Sequence, residues 1–376
     1  MHEGEGIILA GSLTNVTLEE LIKYLEIGPV MAQMSRLSLA FLPLERLQLF
    51  ETAAELVATL DSPEVQSDRT MMLTLDWNPQ YASRLICVKV NHQPLTTELN
   101  RVLKSRFDFI KSTLICQSQL PDLIAQPTGA SCTILILVDG LSWADFCAYW
   151  LEPVSARAVL VDGASTTEQG MKRIIGKPSI VERLFAQGCD RTYGFSYWTR
   201  EDNALTDRLF AFFGDNVEKV RSFQDAWERL AEINLEATYI QIVRQGLDGL
   251  CHKHRDRPNP KNYVKQLAQD WESLLTLLQK RGISARIYLT SDHGILWKEG
   301  HDFQVFSQGK WGDSPRYLKY SYPNSYTLDL EFEENIYSLL NYPYLYRNFR
   351  VNEWGMHGGL SFEESIVPLL TATIER

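Results

Sequence analysis

Long apolar segments alternate with amphipathic ones through the last two thirds of the chain. Cys132 to Val138 is an almost continuous apolar run, which predicts a strand buried on both faces of a sheet. Ala237 to Val243 and Ala285 to Thr290 predict two further strands, and Tyr263 to Lys280 predicts a long amphipathic helix that ends before Gly282. Strands that alternate with helices in this way are typical of the α/β class, with a mostly parallel, doubly wound sheet covered by helices on both faces.

The first third of the chain has a different pattern. Met71 to Asp76 and Leu85 to Val90 are short apolar runs that predict two strands joined by a turn. Two prolines and a glycine fall between Ser118 and Ser131, which is typical of a linker. We therefore expect a smaller α+β domain over residues 1–128, followed by the α/β domain over residues 129–376.

The composition is that of an ordinary globular protein, since 45% of the 376 residues are hydrophobic and 22% are charged. The longest aliphatic run, Ile134 to Val138, is too short to cross a bilayer, and the acidic N-terminal segment does not resemble a secretory signal. Six scattered cysteines without a Cys-x-x-Cys pair favour free thiols in a reducing compartment. We therefore expect a cytoplasmic protein. A net charge of −10 argues against a surface built to wrap nucleic acid non-specifically.

Carboxylate and imidazole side chains follow the three predicted strands. Asp139 comes directly after the first strand, and Asp248 and His252 follow the second. Asp292 and His293 follow the third. Ligands of open α/β sheets bind beyond the carboxyl ends of the strands. Because carboxylates and imidazoles together are ligands of zinc and manganese, the sequence predicts a metal site at this edge of the sheet.

Two other segments supply further candidate groups. The run from Met356 to Gly359 places His357 beside two glycines, which suits either a plain glycine loop or an imidazole ligand that backbone approaches closely. Ser165, Thr166 and Thr167 form a cluster of hydroxyls. Such clusters commonly cap helices, but beside metal ions a hydroxyl can be ionised and become a nucleophile.

Five short motifs carry these groups, in the order Asp139, Thr167-x-x-Gly170-Met171, Asp248-x-x-x-His252, Asp292-His293-Gly294 and His357-Gly358-Gly359. This order resembles that of the alkaline phosphatase superfamily. The run from His357 to Leu370 is similar to the closing segment of PglZ-domain proteins, which are associated with bacterial phage-exclusion systems and with some response-regulator effectors. The resemblance covers residues 131–376 and leaves the first third of the chain without a counterpart.

The resemblance implies a site for phosphoric esters that holds two divalent ions, zinc or, as the alternative, manganese. In that arrangement the first ion is held by Asp139, Asp292 and His293. The second ion is held by Asp248, His252 and His357. Two such ions can stabilise the attacking and the leaving oxygen of a displacement at phosphorus.

The resemblance also implies a threonine nucleophile that forms a covalent phosphothreonine. Thr167 matches best because it lies three residues before Gly170-Met171, and Thr166 is the runner-up. Family members often carry a proline shortly before the nucleophile, whereas this chain has the run Gly163 to Ser165 there. The choice between the two threonines therefore stays open at this point.

Basic residues near these motifs bear on the substrate. Arg255 and Arg257 closely follow the second predicted strand, and Lys310 and Arg316 lie among aromatic residues soon after the third. Cations interleaved with aromatic rings suit an oligonucleotide, whose phosphates need positive partners and whose bases stack. A solvated loop, or a packed insertion with its charged ends in solvent, would give the same pattern.

These features favour a two-metal phosphodiesterase that acts on nucleotides or on single-stranded nucleic acid through a threonine nucleophile, in bacterial anti-phage defence. A phosphomonoesterase of the same superfamily is the alternative within this class. An alternative from a different class is a non-catalytic metal-binding scaffold in a defence complex, although a decayed site would be expected to lose some of its ligands. We expect no membrane association, and residues 1–128 are the expected contact for protein partners.

Overall fold

The computed structural model describes residues 37–43, 70–76, 85–89, 100, 103–104, 107–126, 129–150, 154–175, 179–196, 209–253, 258–299, 302–306 and 314–375. In the first third of the chain, β1 (Leu37–Pro43), β2 (Thr70–Asp76) and β3 (Leu85–Lys89) form an antiparallel sheet in the order β1-β2-β3. The strands β2 and β3 confirm the two predicted from the apolar runs, and β1 is an additional strand. A separate domain over residues 1–128 stays a prediction.

An eight-stranded sheet forms the centre of the rest of the chain. Its strands are β4 (Ile115–Cys116), β5 (Cys132–Val138), β6 (Ala156–Leu160), β7 (Arg191–Ser196), β8 (Val217–Lys219), β9 (Thr238–Arg244), β10 (Ala285–Ser291) and β18 (Ile366–Ile374). The order is β4-β6-β18-β10-β5-β9-β7-β8, and every neighbouring pair is parallel except the two pairs that involve β18. The predicted α/β class with a mostly parallel sheet is therefore confirmed.

The three strands predicted from the sequence lie side by side as β10-β5-β9. Val138, the last residue of β5, is level with Ser291 of β10 on one side and with Arg244 of β9 on the other. Because all three strands are parallel, their carboxyl ends meet at one edge of the sheet. This register brings together the polar residues that follow each strand.

Helices cover both faces of the sheet. Those of the described residues are α1 (Phe107–Thr113), α2 (Leu120–Ile124), α3 (Trp143–Tyr149), α4 (Thr167–Ile175), α5 (Ser179–Ala186), α6 (Phe223–Glu232), α7 (Asp248–Lys253), α8 (Pro260–Lys280), α9 (Phe362–Ser365) and the 3₁₀ turn Gln117–Gln119. Side chains of α3, α6 and α8 pack in one apolar core, and those of α2, α4 and α5 pack in another. Alternate residues of β5 enter the two cores, as the period of a strand requires: Ile134 and Ile136 enter the first, and Leu135 and Leu137 the second.

The sheet begins upstream of the boundary expected at residue 128. The short strand β4 pairs with β6 in the main sheet, and Ile124 of α2 is buried in the second core. Phe107 and Ile110 of α1 are buried in the first core. The proline-containing stretch after Ser118 therefore contributes to the α/β unit, because α2 begins at Leu120 with a proline in its first turn, where the missing N–H removes no helical bond.

The chain between β10 and β18 forms smaller sheets above the carboxyl edge. Their strands are β11 (Leu296–Trp297) with β17 (Gly355–Met356), β12 (Gln304–Val305) with β16 (Tyr344–Leu345), and β13 (Tyr317–Leu318) and β14 (Thr327–Phe332) on either side of β15 (Asn335–Leu340). The pairing of β17 with β11 brings the following residue, His357, back to the ends of the central strands. Among the helices of the described residues, none combines the length and apolar character needed to cross a membrane.

Candidate metal centre at the carboxyl edge of the sheet

Three aspartates converge where the central strands end. Asp139 follows β5 directly, Asp292 follows β10 directly, and Asp248 begins α7 four residues after β9. The side chain of Asp292 is completely buried, and that of Asp139 is only 6% exposed. The side chain of Asp248 is 17% exposed. Two buried carboxylates and a third beside them are unfavourable unless cations or donors offset their charge.

Three histidines lie among these carboxylates. Nε2 of His293 is 3.6 Å from Oδ1 of Asp139 and 3.7 Å from Oδ2 of Asp292. Nε2 of His252 and Nε2 of His357 are each 3.1 Å from Oδ1 of Asp248. The structure thus brings together all six residues that the sequence predicts as metal ligands.

The ligand atoms are close enough to share divalent ions. Those of Asp139, Asp292 and His293 all lie within 4.8 Å of one another, and so do those of Asp248, His293 and His357. The rings of His293 and His357 stack with their centroids 4.1 Å apart, so His293 lies between the two groups. Carboxylate and imidazole donors in this number fit zinc or manganese.

The imidazoles are oriented through their Nδ1 atoms. Nδ1 of His293 lies 2.9 Å from the carbonyl oxygen of Gly294, and Nδ1 of His357 lies 3.0 Å from that of Ser165. Because a carbonyl oxygen only accepts, Nδ1 carries the hydrogen in both rings and Nε2 points at the carboxylates. This outer contact is the one that fixes the ring of a metal-bound histidine.

Asp292 has an oxygen available for an ion. Its Oδ1 accepts hydrogen bonds from the backbone N–H groups of Gly140 and His293, at 3.0 and 2.9 Å. Within the described part of the chain its Oδ2 accepts no hydrogen bond, although that atom is buried. A buried carboxylate oxygen without a donor is unfavourable by itself and suits a cation. The residues present therefore fit divalent metal ions.

The pKa values of the aspartates follow from burial and crowding. Burial raises the pKa of Asp292 to about 7, and the charge of Asp248 contributes to this rise. Burial, followed by the charges of Asp248 and Asp292, raises the pKa of Asp139 well above its usual range. For Asp248, burial would also raise the pKa, but His357 and His252 outweigh it and lower the pKa well below its usual range. Without a cation, Asp139 and Asp292 therefore resist ionisation, and a bound cation would favour their charged forms.

The pKa values of His293 and His357 shift in opposite directions. Burial lowers the pKa of His293 to about 3, so this ring is neutral and has a lone pair at Nε2. Burial would also lower the pKa of His357, but the charge of Asp248 overcomes it and raises the pKa to about 9. Nε2 of His357 and Oδ1 of Asp248 can share a divalent ion in place of the proton, because metal ligands release their protons on binding.

The two adjacent threonines have different surroundings. The hydroxyl of Thr167 lies 3.3 Å from Oδ1 of Asp139 and 3.1 Å from Nε2 of His293, within the group of candidate ligands. The hydroxyl of Thr166 accepts a hydrogen bond from the N–H of Gln169 at 3.4 Å and thereby caps α4. Thr167 thus lies among the candidate metal ligands, and Thr166 lies at the helix cap.

Close backbone contact joins α4 to the strand end that bears Asp292. A Cβ atom on Gly170 would lie 2.2 Å from the carbonyl oxygen of Asp292, so only glycine allows the helix to approach this closely. On the other side, Nε2 of Gln117 donates to the carbonyl oxygens of Ser291 and Asp292, at 2.9 and 2.6 Å. Gln117 was not expected from the sequence, because it lies upstream of the expected domain boundary and in no recognisable motif.

A further carboxylate faces the most exposed histidine of the site. Oε1 of Glu353 lies 3.8 Å from Nδ1 of His252, and the guanidinium of Arg347 holds Glu353 by two bonds of 2.8 Å. Cys251 lies beside Asp248, with Sγ 3.7 Å from Oδ1, but burial raises the pKa of this thiol, which disfavours the thiolate form that binds metals. Neither Glu353 nor Cys251 was expected from the sequence.

The structure corrects the expectation for Arg316. Its side chain is fully buried and forms a two-point ion pair with Glu364, with Nη2 2.6 Å from Oε2 and Nε 3.0 Å from Oε1. Arg316 is therefore not an exposed cation of a substrate surface, because its donors are directed into the protein. The other expected substrate residues, Arg255, Arg257 and Lys310, lie outside the described residues.

Comparison with known proteins gives only distant structural likenesses. No family model matches the chain, and no curated protein matches it. Among solved structures, murine ectonucleotide pyrophosphatase/phosphodiesterase 5 is similar at 11% identity and a TM-score of 0.40, over 64% of this chain and 87% of that one.

Two further solved structures are similar to this chain with comparably low identities and TM-scores. Phosphonoacetate hydrolase from Sinorhizobium meliloti is similar at 14% identity and a TM-score of 0.43, over 64% of this chain and 90% of that one. A mutant of TAB5 alkaline phosphatase with magnesium bound is similar at 9% identity and a TM-score of 0.32, over 65% and 91% of the two chains. All three are members of the alkaline phosphatase superfamily. At such low similarity, the assignment of a function depends on the residues of the site itself.

Proposed function

We propose that this chain is a two-metal phosphodiesterase of the alkaline phosphatase superfamily, of the PglZ type, with Thr167 as its nucleophile. The observation that carries the proposal is the position of the Thr167 hydroxyl between Asp139 and His293, at 3.3 and 3.1 Å. A hydroxyl held among metal ligands is the arrangement that covalent phosphoryl transfer requires.

The two proposed ion sites follow from the contacts. Asp139, Asp292 and His293 would hold one ion, and Asp248, His252 and His357 the other. Bound there, the ions would stabilise charge on the attacking and leaving oxygens and favour the alkoxide of the nucleophile. Because His293 also lies within reach of His357, it sets the spacing between the two groups.

The side chains of this chain then define two chemical steps. In the first step, the Thr167 hydroxyl gives its proton to Oδ1 of Asp139 while Oγ1 forms a bond to phosphorus. The bond from phosphorus to the leaving oxygen breaks, and that oxygen takes the proton and departs as an alcohol. In the second step, a water molecule gives one proton to Oδ1 of Asp139 as its oxygen bonds to phosphorus, the Oγ1–phosphorus bond breaks, and that proton passes to Oγ1. Thr167 begins α4, so the N–H groups of the first helical turn lie where phosphate oxygens can accept from them.

The preference for a diester is supported by the charge of the site. A phosphomonoester carries more negative charge than a diester and gains more from a cationic side chain beside the metals. Among the ion pairs of the described residues, no lysine or arginine partners Asp139, Asp248 or Asp292. A singly charged diester is therefore the better match, and nucleotides or single-stranded oligonucleotides are the proposed substrates.

Hydrolysis of matched chromogenic esters tests this proposal. Protein loaded with zinc or with manganese is expected to hydrolyse a bis-aryl phosphate and the p-nitrophenyl ester of a nucleotide faster than the mono-aryl phosphate. A faster reaction with the mono-aryl phosphate would favour the phosphomonoesterase. Hydrolysis of none of these esters, by protein shown to contain the metal, would contradict the catalytic proposal and favour a metal-binding scaffold.

The biological setting is proposed from the PglZ-like closing segment. If the chain acts in anti-phage defence, cells carrying the wild-type protein in its native system should plate phage less efficiently than cells carrying the Thr167→Ala variant. If phage plate equally well on the two strains while both proteins are present at equal levels, the proposed role in defence is wrong.

A further inference from the structure

A buried ion pair lies directly behind the loops that bear the candidate ligands. Arg316 and Glu364 are both completely buried, and two hydrogen bonds join the guanidinium to the carboxylate, at 2.6 and 3.0 Å. Nη1 of Arg316 also donates to the carbonyl oxygen of Tyr344. Such a two-point pair fixes the relative orientation of its partners as well as their distance.

Glu364 is bonded to two ligand-bearing loops at once. Its Oε1 accepts a hydrogen bond from the N–H of Gly359 at 3.0 Å, and its backbone carbonyl oxygen accepts one from the N–H of Gly294 at 2.9 Å. Gly294 follows His293, and Gly359 lies two residues after His357. One residue of α9 therefore connects the loops that carry both of these histidines.

Arg316 lies against the backbone of the same loop. A Cβ atom on Gly359 would come within 2.6 Å of Nε and 2.7 Å of Cζ of Arg316. The glycine is thus required for the guanidinium to lie this close to the chain, which accounts for the second glycine of the His357-Gly358-Gly359 motif.

Ser165 holds the opposite side of this loop. Its hydroxyl donates to the carbonyl oxygen of Gly359 at 2.7 Å and accepts from the N–H of Gly358 at 3.2 Å. Its own carbonyl oxygen contacts Nδ1 of His357. Because Ser165 lies two residues before Thr167, the loop is held between the nucleophile segment and the Arg316–Glu364 pair.

Stability alone does not account for such a pair. Removing two charges from water is costly, and replacing a buried ion pair with apolar residues of similar volume is often neutral or stabilising. The two side chains do, however, supply directed bonds to the N–H of Gly359 and to the carbonyl oxygen of Tyr344, which apolar side chains would not reproduce. The bond from Gly294 to the backbone of Glu364 would remain, but residue 364 would no longer be held by Arg316.

We propose that the Arg316–Glu364 pair is a positioning unit that holds the loops of His293 and His357 at the spacing the two metal ions require, without touching substrate. This inference rests on the proposed two-metal function. Partners that orient metal ligands from outside typically change metal affinity by roughly 10–100-fold when they are removed.

The double variant Arg316→Met/Glu364→Leu tests the proposal, because it removes the charges together and leaves none uncompensated. We expect a folded protein by circular dichroism whose zinc or manganese concentration for half-maximal activity is roughly 10–100-fold higher than that of the wild type. Saturating metal should largely restore kcat, since substrate contacts are intact. Unchanged metal dependence in the folded double variant would overturn the proposal.

Arg316→Lys gives an independent answer, because lysine keeps the charge but lacks the planar fork. It should shift the metal dependence in the same direction by a smaller factor. If both variants fail to fold, the pair belongs to folding and the positioning proposal is wrong.

A matched control separates the pair from ion pairs in general. Arg229 and Glu218 form a two-point pair of the same bonding pattern, at 2.7 and 2.9 Å, but at the surface, between α6 and the edge strand β8. The Arg229→Met/Glu218→Leu variant should keep the wild-type metal dependence. Metal binding by the wild type, measured by elemental analysis and calorimetry, distinguishes the two failures: absence of metal binding contradicts the proposed function, whereas normal binding in every variant contradicts only the positioning proposal.

Discussion

The hydroxyl of Thr167 lies 3.1 Å from Nε2 of His293, although 126 residues separate them in the chain. The contact exists because α4 begins at Thr167 while β10 ends just before Asp292, and because Gly170 lets the helix touch that strand end. The proposed nucleophile is therefore positioned by a helix terminus and the proposed metal ligands by a strand terminus. Both are rigid elements, which is the arrangement that holds reacting groups in place.

Substitution of the two threonines should have opposite consequences. Thr167→Ala is expected to lower kcat by at least about 10³-fold, as loss of a nucleophile does, while metal content stays at the wild-type level. Thr167→Ser should keep measurable activity because the hydroxyl remains. Thr166→Ala should retain activity and lose about 0.5–2 kcal/mol of stability, because it removes a helix cap. Steady-state kinetics, elemental analysis and thermal unfolding check these outcomes, and an inactive Thr166→Ala with an active Thr167→Ala would reverse the assignment.

Removal of metal should lower both activity and stability. Chelation is expected to abolish hydrolysis, and ions present at 100 times their dissociation constant should stabilise the folded state by about 2.7 kcal/mol per site. Calorimetric melting before and after dialysis against a chelator measures this shift. Zinc or manganese added back should restore both properties, whereas a melting temperature indifferent to chelation would contradict the metal assignment.

Much of this site could be predicted from the sequence because it depends on strand ends. The apolar runs mark β5, β9 and β10, and in a parallel sheet their carboxyl ends must meet, so Asp139 and Asp292 were expected to be neighbours. Periodicity and strand direction are local properties, and they remain visible in one sequence.

The supporting contacts could not be predicted because they join residues far apart without a shared pattern. The bond from Gln117 to Asp292 spans 175 residues, and the bond from Arg316 to Glu364 spans 48. A basic residue among aromatics can lie on a surface or be buried against a carboxylate, and only the fold distinguishes the two. The first strand of the main sheet could not be predicted for a different reason, since β4 is too short to show a strand pattern.

Asp292→Asn should change stability in opposite directions with and without metal. In chelated protein, the variant should unfold at a higher temperature than the wild type, because it removes a buried charge whose Oδ2 accepts no hydrogen bond within the described chain. With zinc present, the order should reverse, since asparagine is a poorer ligand than a carboxylate. Paired melting curves of both proteins in both conditions test this crossing, and parallel shifts in the two conditions would argue against a cation at Asp292.

Gln117→Met should lower the metal affinity of the site, although Gln117 is not one of the candidate ligands. The substitution keeps the volume of the buried side chain but removes the donor to the carbonyl oxygens of Ser291 and Asp292, so metal affinity should fall by roughly 10-fold. Gln119→Met is the matched control, because Gln119 is exposed and its side chain, as far as the described residues show, accepts from the N–H of Cys116 alone. Metal titrations of activity for the two variants check the difference, and equal effects would assign Gln117 to folding alone.

If the basic segment after His252 contacts the substrate, its contribution should appear in the salt dependence of KM. If Arg255 and Arg257 each contact one phosphate of a single-stranded substrate, replacing both with serine should make the slope of log KM against log salt shallower by about 1.4, at roughly 0.7 per phosphate. Hydrolysis of a small aryl diester should be little affected, because it carries one charge and cannot span the segment. The control for a general change in charge is the double variant Lys261→Ser/Lys265→Ser. These two lysines follow the arginines in the sequence and lie one helical turn apart in α8. Equal losses on both substrates would mean that the two arginines support the fold of their segment and do not guide a polyanion, whereas a change confined to the oligonucleotide would identify them as its contacts.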